Sequence, residues 1–248
     1  MKTLEPIKQL KEICQAGMAE TDTWQDKFIY RRFSIYLTRA LLQLNINAMQ
    51  ATWFFFFFGF IPGIAFASSH YLTGALLLQI WYIFDEVDGE IARYRKETSI
   101  SGAYFDNIIH YVIHPFIFVG IGYGLYNDYG DISLLLFSVS AAISIMLLSV
   151  FHDLKNSILF ALKKEGSSGK DLNPGGNKAL GFLKSAFSLL HRICTYPTLI
   201  NIITLTIVAG IFLKEGLLKY FIIFYGTVIP VLFISKLFVS ISERRLDR

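Results

Sequence analysis

Residues 84–115 read FDEVDGEIARYRKETSISGAYFDNIIHYVIHP, and the reading of this stretch decides the fold. It begins where one apolar run ends and finishes inside another, yet it carries Asp85, Glu86, Asp88, Glu90, Asp106, His110 and His114. On a helix, Asp85, Asp88, Gly89 and Ala92 stand at i, i+3, i+4 and i+7 and share one face. Glu86, Glu90 and Arg93 repeat that spacing on a different face, which reads as a solvated or salt-bridged rim. After a short turn, Gly102, Asp106, His110 and His114 climb a second helix at four-residue steps. Helices joined so closely pack as antiparallel neighbours, so Asp85 and Asp88 face Asp106 and His110. Carboxylates gathered in this way repel unless protonated or neutralised, and all-oxygen ligation favours Mg2+ or Mn2+. Ionisable groups at such a depth are costly and mark function. Zinc suits the pattern less well, because HYVIH lacks the glutamate of the HExxH spacing.

Outward from this stretch, composition sets the environment. The chain is 54% hydrophobic and only 17% charged, with a mean hydropathy of +0.48, which excludes an ordinary soluble domain. Its 248 residues divide into six apolar runs, each near the roughly 20 residues that cross a bilayer. They cover 48–69, 71–90, 104–126, 131–153, 196–213 and 217–239. The expected fold is an all-α integral membrane protein: six transmembrane helices preceded by a cytoplasmic interfacial amphipathic helix. Residues 1–47 form the N-terminal and interfacial segment, and residues 48–248 the six-helix membrane domain.

Charge orients the spans. The short breaks at 68–71, 127–131 and 214–216 fall on one side, and of the 23 Lys and Arg residues only Lys214 and Lys219 lie near it. The positive-inside rule then places both termini, the long loops and the acidic cluster at the cytoplasmic face of a multi-pass protein. Charge from Lys2 onward leaves no signal-peptide core at the N-terminus. Cys14 and Cys194 both fall on the cytoplasmic side and read as free thiols.

In residues 22–44, Phe28, Ile29, Phe33, Tyr36, Leu37 and Leu41 recur at helical spacing while Arg31, Arg32 and Arg39 interrupt them. This suits a helix lying in the headgroup layer near anionic lipid, or one packed on the rest of the protein. The stretch 163–178 is rich in Gly and Lys and reads as a cytoplasmic loop; its GSSGK lacks Walker A spacing. The five phenylalanines at 54–58 read as lipid-facing or inter-helix packing.

Asp85, Asp88, Gly89, Ala92 and Arg93, then Gly102 and Asp106, together resemble the signature of the CDP-alcohol phosphotransferase family, D-x2-D-G-x2-A-R-x8-G-x3-D-x3-D. The six spans and the preceding helix agree with that family, so the resemblance covers most of the chain. His110 departs from the pattern, standing where the family has its last aspartate. The resemblance implies an integral membrane enzyme that moves a phosphatidyl or phospho-alcohol group from a CDP-linked donor to an acceptor hydroxyl and releases CMP. The donor is CDP-diacylglycerol or a smaller CDP-alcohol. Synthesis of phospholipids or related phosphodiesters is the expected setting.

By the same resemblance, Asp85, Asp88, Asp106 and His110 hold Mg2+ or Mn2+, in two sites of which the second is weakened by His110. Asn47, Asp85, Gly89, Ala92, Arg93 and Gly102 contact the nucleotide. Gln50 stands where the family's Asn-x-x-Thr has its threonine. His110 is expected to act as the general base, since a neutral imidazole is a good base near pH 7 and also a usable ligand. His114, about 6 Å further along the helix, either satisfies a backbone kinked by Pro115 or reaches into a substrate cavity. His152 and Lys155 are candidates to bind the acceptor. The lipid bilayer is a partner, a homodimer is within the expectation, and no nucleic acid is expected. Two rivals remain: a cation-coupled transporter, and a relative that binds the CDP donor without turning it over.

Overall fold

The computed structural model describes residues 4–18, 22–164, 193–194 and 198–242, and among them every regular element is a helix. Helix α1 (Ile7–Cys14) is followed by a π-helical turn at Asp26–Tyr30 that runs into α2 (Arg31–Gln43). Then come α3 (Ala48–Ala67), α4 (Tyr71–Arg95), α5 (Ile100–Tyr129), α6 (Ile132–Lys164), α7 (Thr198–Leu213) and α8 (Leu217–Ser242). The 165–178 part of the Gly- and Lys-rich stretch lies outside the described residues, as does the side chain of Lys155.

A helix thus stands at each of the six apolar runs. Four of them are long and apolar enough to cross a membrane: α3, α5, Ile132–Ile158 of α6 and Leu217–Phe238 of α8. The protein is membrane-embedded. Helix α7 is apolar but has only 16 residues. Helix α4 is long, but its last turns carry Asp85, Glu86, Asp88, Glu90, Arg93 and Arg95.

Why α4 runs to Arg95 is a matter of its cap. Lys96 adopts a left-handed φ of 59°. The N–H of Glu97 bonds the Ala92 carbonyl at 2.8 Å and that of Lys96 bonds the Arg93 carbonyl at 3.3 Å, a Schellman closure built on lysine where glycine is usual. Ser99 then caps α5, accepting from the Gly102 N–H at 3.0 Å, as N-cap serines do. Only Lys96–Ser99 separate the two helices, so the acids of α4 and α5 face each other across a tight hairpin.

Helix α5 is the axis of the bundle, packed against α3 and α6; α3 also lies on α4, α6 on α8, and α7 on α4 and α8. Between membrane helices there is no water to expel, so close backbone approach and van der Waals packing carry the association. Gly120 and Gly124 of α5 serve this purpose, since a Cβ on either would run into the carbonyls of Gly63 and Phe66 on α3. Tyr30, Gln79, Asn201 and Thr204 add a polar tie between the π-helical turn, α4 and α7, in which Gln79 Nε2 donates to Thr204 Oγ1 at 2.9 Å.

Helices α1 and α2 are clamped to the last turns of α4. Glu90 is 0% exposed and accepts from Ser34 at 2.7 Å, Thr38 at 2.6 Å and Gln15 at 2.7 Å. Arg31 pairs with Asp22 at 2.7 Å and with Glu86 at 2.7 Å, and Arg93 Nε donates to the Cys14 carbonyl. The Glu86–Glu90–Arg93 face is therefore salt-bridged as expected, but it is not solvated, because two N-terminal helices cover it. Burial pushes the Cys14 thiol up to about 12 and the Cys194 thiol to about 11. The other face of the N-terminal stretch leaves Phe28, Phe33 and Tyr36 mostly exposed beside Lys27 and Arg32.

Candidate functional site

All the groups singled out in residues 84–115 gather at one end of the bundle, where α3 begins, α4 ends, α5 begins and the second half of α6 passes. Asp85 comes from α4, and Asp106 and His110 lie one turn apart on α5. His110 Nε2 stands 3.2 Å from Asp85 Oδ1 and 3.5 Å from Asp106 Oδ1. One ligand atom from each of the three residues falls within 4.8 Å of the others. The hairpin sets this convergence, and an aromatic floor fixes the imidazole. Phe55 stacks on Trp81 at 4.9 Å, the Trp81 indole donates to the Phe55 carbonyl at 3.0 Å, and both rings meet His110 edge-on.

The donor set fits a divalent cation. Asp106 Oδ1 is buried without a hydrogen-bond partner, and among the described residues no Lys or Arg pairs with Asp85, Asp88 or Asp106. A buried carboxylate oxygen left unpartnered is costly, and a cation between Asp85, Asp106 and His110 would satisfy it.

Asp88 is close by but differently engaged. It is 8% exposed, its Oδ2 accepts from Thr52 Oγ1 at 2.9 Å and its Oδ1 from the Gly89 N–H at 2.6 Å. It stands outside the compact trio of Asp85, Asp106 and His110.

Two cavities flank the trio. The first, of about 470 Å³, is lined by Asp88 and Asp106, and also by Asn47, Gly89, Ala92, Arg93 and Gly102. These last five were expected to contact a nucleotide; Asp85, the sixth, is not in the lining. The second cavity, of about 330 Å³, is lined by Asp85, His110, His114, His152 and Asp153, with Tyr111 beside them. The trio therefore stands between the two spaces, Asp106 facing one and Asp85 with His110 facing the other.

Several details were not read from the sequence. Gln50 completes a capping box with Asn47: Asn47 Oδ1 accepts from the Gln50 N–H at 2.8 Å and Gln50 Oε1 from the Asn47 N–H at 3.0 Å. Asn47 thus devotes its carbonyl oxygen to starting α3. The hydroxyl that reaches the acids is Thr52, the only one within α3, and that scarcity was the available signal. Tyr111 donates to Asp153 at 2.6 Å across the second cavity. His114 is turned into that cavity, its Nε2 3.0 Å from His110 Nδ1 and its ring edge-on to Trp81. Of the three residues expected to bind the acceptor, His114 and His152 line this space and the Lys155 side chain lies outside the described residues.

A sequence model of the family described as CDP-alcohol phosphatidyltransferase matches residues 36–229, which hold both cavities and the trio between them. No curated protein matches the chain.

Proposed function

The chain belongs to the CDP-alcohol phosphatidyltransferase family, and from that premise we propose that it transfers a phosphatidyl or phospho-alcohol group from a CDP-linked donor to an acceptor hydroxyl, with release of CMP. The observation that carries this reading is the trio of Asp85, Asp106 and His110 standing between two cavities of suitable size for different molecules.

On this reading the cytidine of the donor lies in the first cavity. The small residues Gly89, Ala92 and Gly102 leave the walls low there, and Asn47 and Arg93 lie within reach of the nucleotide. The acceptor enters the second cavity beside His114, His152 and Asp153. A divalent cation, Mg2+ or Mn2+, held by Asp85, Asp106 and His110 supplies neutralisation of the charge that builds on the pyrophosphate. A second, weaker cation would draw on Asp88, whose Oδ2 accepts from Thr52 and whose Oδ1 accepts from the Gly89 N–H, each oxygen keeping a lone pair to offer. The acceptor oxygen attacks the β-phosphorus, the bond from that phosphorus to the bridging oxygen breaks, and CMP leaves. The hydroxyl proton is taken up within the second cavity.

His110 has two readings, because a carboxylate can ligate and take a proton through separate oxygens while a neutral imidazole has a single lone pair. The direction of Nε2, toward two carboxylates, favours a ligand. The place of the same ring in the wall of the second cavity favours a base.

The surrounding proposal follows the sequence. On this proposal all six helices α3 to α8 cross the bilayer, residues 48–248 form the membrane domain, both termini are cytoplasmic and the site opens to the cytoplasm. The exposed Phe28, Phe33 and Tyr36 of the N-terminal segment 1–47 then lie in the headgroup layer, and a homodimer is the assembly to look for. A screen of the purified protein in lipid, following CMP release over donor–acceptor pairs with Mn2+ and with chelator, tests the activity. Chelator-sensitive release with one pair is the expected result. Cation-driven flux without any cytidine compound would make it a transporter, and donor binding without turnover a binding relative.

A further inference from the structure

We propose that the site formed by Asp85, Asp106 and His110 selects a first-row transition-metal ion such as Mn2+ or Co2+ over Mg2+, because His110 enters it as an imidazole ligand backed by His114. The inference rests on the functional reading above and narrows its divalent cation to a class.

The donor set comes first. Two of the three donors are carboxylate oxygens, which serve Mg2+ and Mn2+ alike, while the third is an imidazole nitrogen. Imidazole suits Mn2+, Co2+ and the later ions of the row, whereas Mg2+ holds to oxygen and gives up its waters reluctantly. An aspartate at position 110 would offer only oxygen. Its replacement by histidine changes the preference of the site as well as its charge.

The neighbour of His110 points the same way. A metal-bound imidazole carries its proton on the nitrogen away from the metal and donates it to an outer partner that orients the ring. Here that nitrogen is Nδ1, and Nε2 of His114 lies 3.0 Å from it. With Nδ1–H donated to His114, the lone pair of His110 would sit on Nε2, facing Asp85 Oδ1 and Asp106 Oδ1, and a cation between them would make that tautomer the favourable one. Phe55 and Trp81 hold the His110 ring in this aspect, and Trp81 meets His114 as well, so the imidazole pair is set before any ion arrives.

The test uses the full chain in lipid nanodiscs and reads the metal directly. With Mn2+ bound, pulsed electron paramagnetic resonance should detect a 14N coupling from one imidazole. His110→Asp should keep Mn2+ binding and lose that coupling. In competition titrations the wild type should prefer Co2+ and Mn2+ to Mg2+, and His110→Asp should narrow the gap. His114→Ala should weaken Mn2+ binding about tenfold, as loss of an outer partner does, while His114→Gln, which keeps an acceptor, restores most of it. Mn2+ bound without nitrogen coupling, or Mg2+ competing equally well in the wild type, would overturn the inference and leave the transferase reading standing. Failure of the wild type to bind any divalent cation, with or without CMP, would overturn both.

Discussion

Thr52 Oγ1 donates to Asp88 Oδ2 at 2.9 Å, joining the first turns of α3 to the end of α4 at the wall of the larger cavity. This bond holds the one acid of the four-residue set that stands apart from the trio. It decides which way Asp88 presents its charge to whatever fills the cavity.

Thr52→Val removes the donor and keeps the shape. A hydrogen bond to a charged group contributes about 1.5–3 kcal/mol, so kcat/KM for the CDP donor should fall by roughly tenfold or more, with the acceptor KM unchanged. Steady-state CMP release at saturating acceptor measures this. An unchanged donor kcat/KM would mean that Asp88 needs no such orientation.

His110→Ala separates the two readings of that residue. CMP release should be lost in either case. As a ligand, His110 also supports metal-dependent CMP binding, so calorimetry should show that binding weakened together with turnover. Intact binding with no turnover would assign the imidazole to the acceptor's proton instead. His110→Asp, which restores the family residue, should retain some activity.

Glu90→Ala should destabilise the fold without touching either cavity. The change leaves Gln15, Ser34 and Thr38 without their buried acceptor and brings Arg31 one counter-charge short. Breaking a buried ionic network in this way costs about 3–5 kcal/mol. The melting temperature in detergent should drop well below that of Glu12→Ala, whose side chain is exposed. Equal melting of the two variants would show that α1 and α2 are held by other contacts.

Thiol chemistry reports on the same clamp. With its thiol pushed up to about 12 by burial, Cys14 holds a thiolate fraction on the order of one in ten thousand at pH 8. The fraction rises with pH, since the thiolate is the deprotonated form. Maleimide labelling at pH 8 should therefore be slow at Cys14 and at Cys194, and fast once the protein is denatured. Arg93→Ala removes a cation that favours the thiolate but also frees the Cys14 carbonyl. The exposure gained as α1 loosens should outweigh the lost charge and speed labelling at Cys14 alone. Rapid labelling of the native wild type would place α1 away from α4.

Much of the site was legible because its chemistry is carried by spacing. Asp85, Gly89, Asp106 and His110 recur at helical intervals on two segments joined by a short turn, and the hairpin follows from that. The helix ends were harder to read. Helices α2, α3 and α4 stop at Asn45, Ser69 and Lys96, all with left-handed φ, and only the asparagine among these is a usual marker. Hence α4 runs five residues beyond the expected edge at 90, to Arg95. The burial of Glu90 was also hidden, because its donors lie 52 to 75 residues away in the chain. Local periodicity cannot report such distant partners.

The Lys96–Ser99 hairpin has a consequence in time. Asp85, Asp106 and His110 belong to two consecutive helices joined by four residues, so their encounter requires little loop closure. During synthesis this pair can meet while α7 and α8 are still on the ribosome, long before the bundle is complete. The later helices then enclose a centre that already exists.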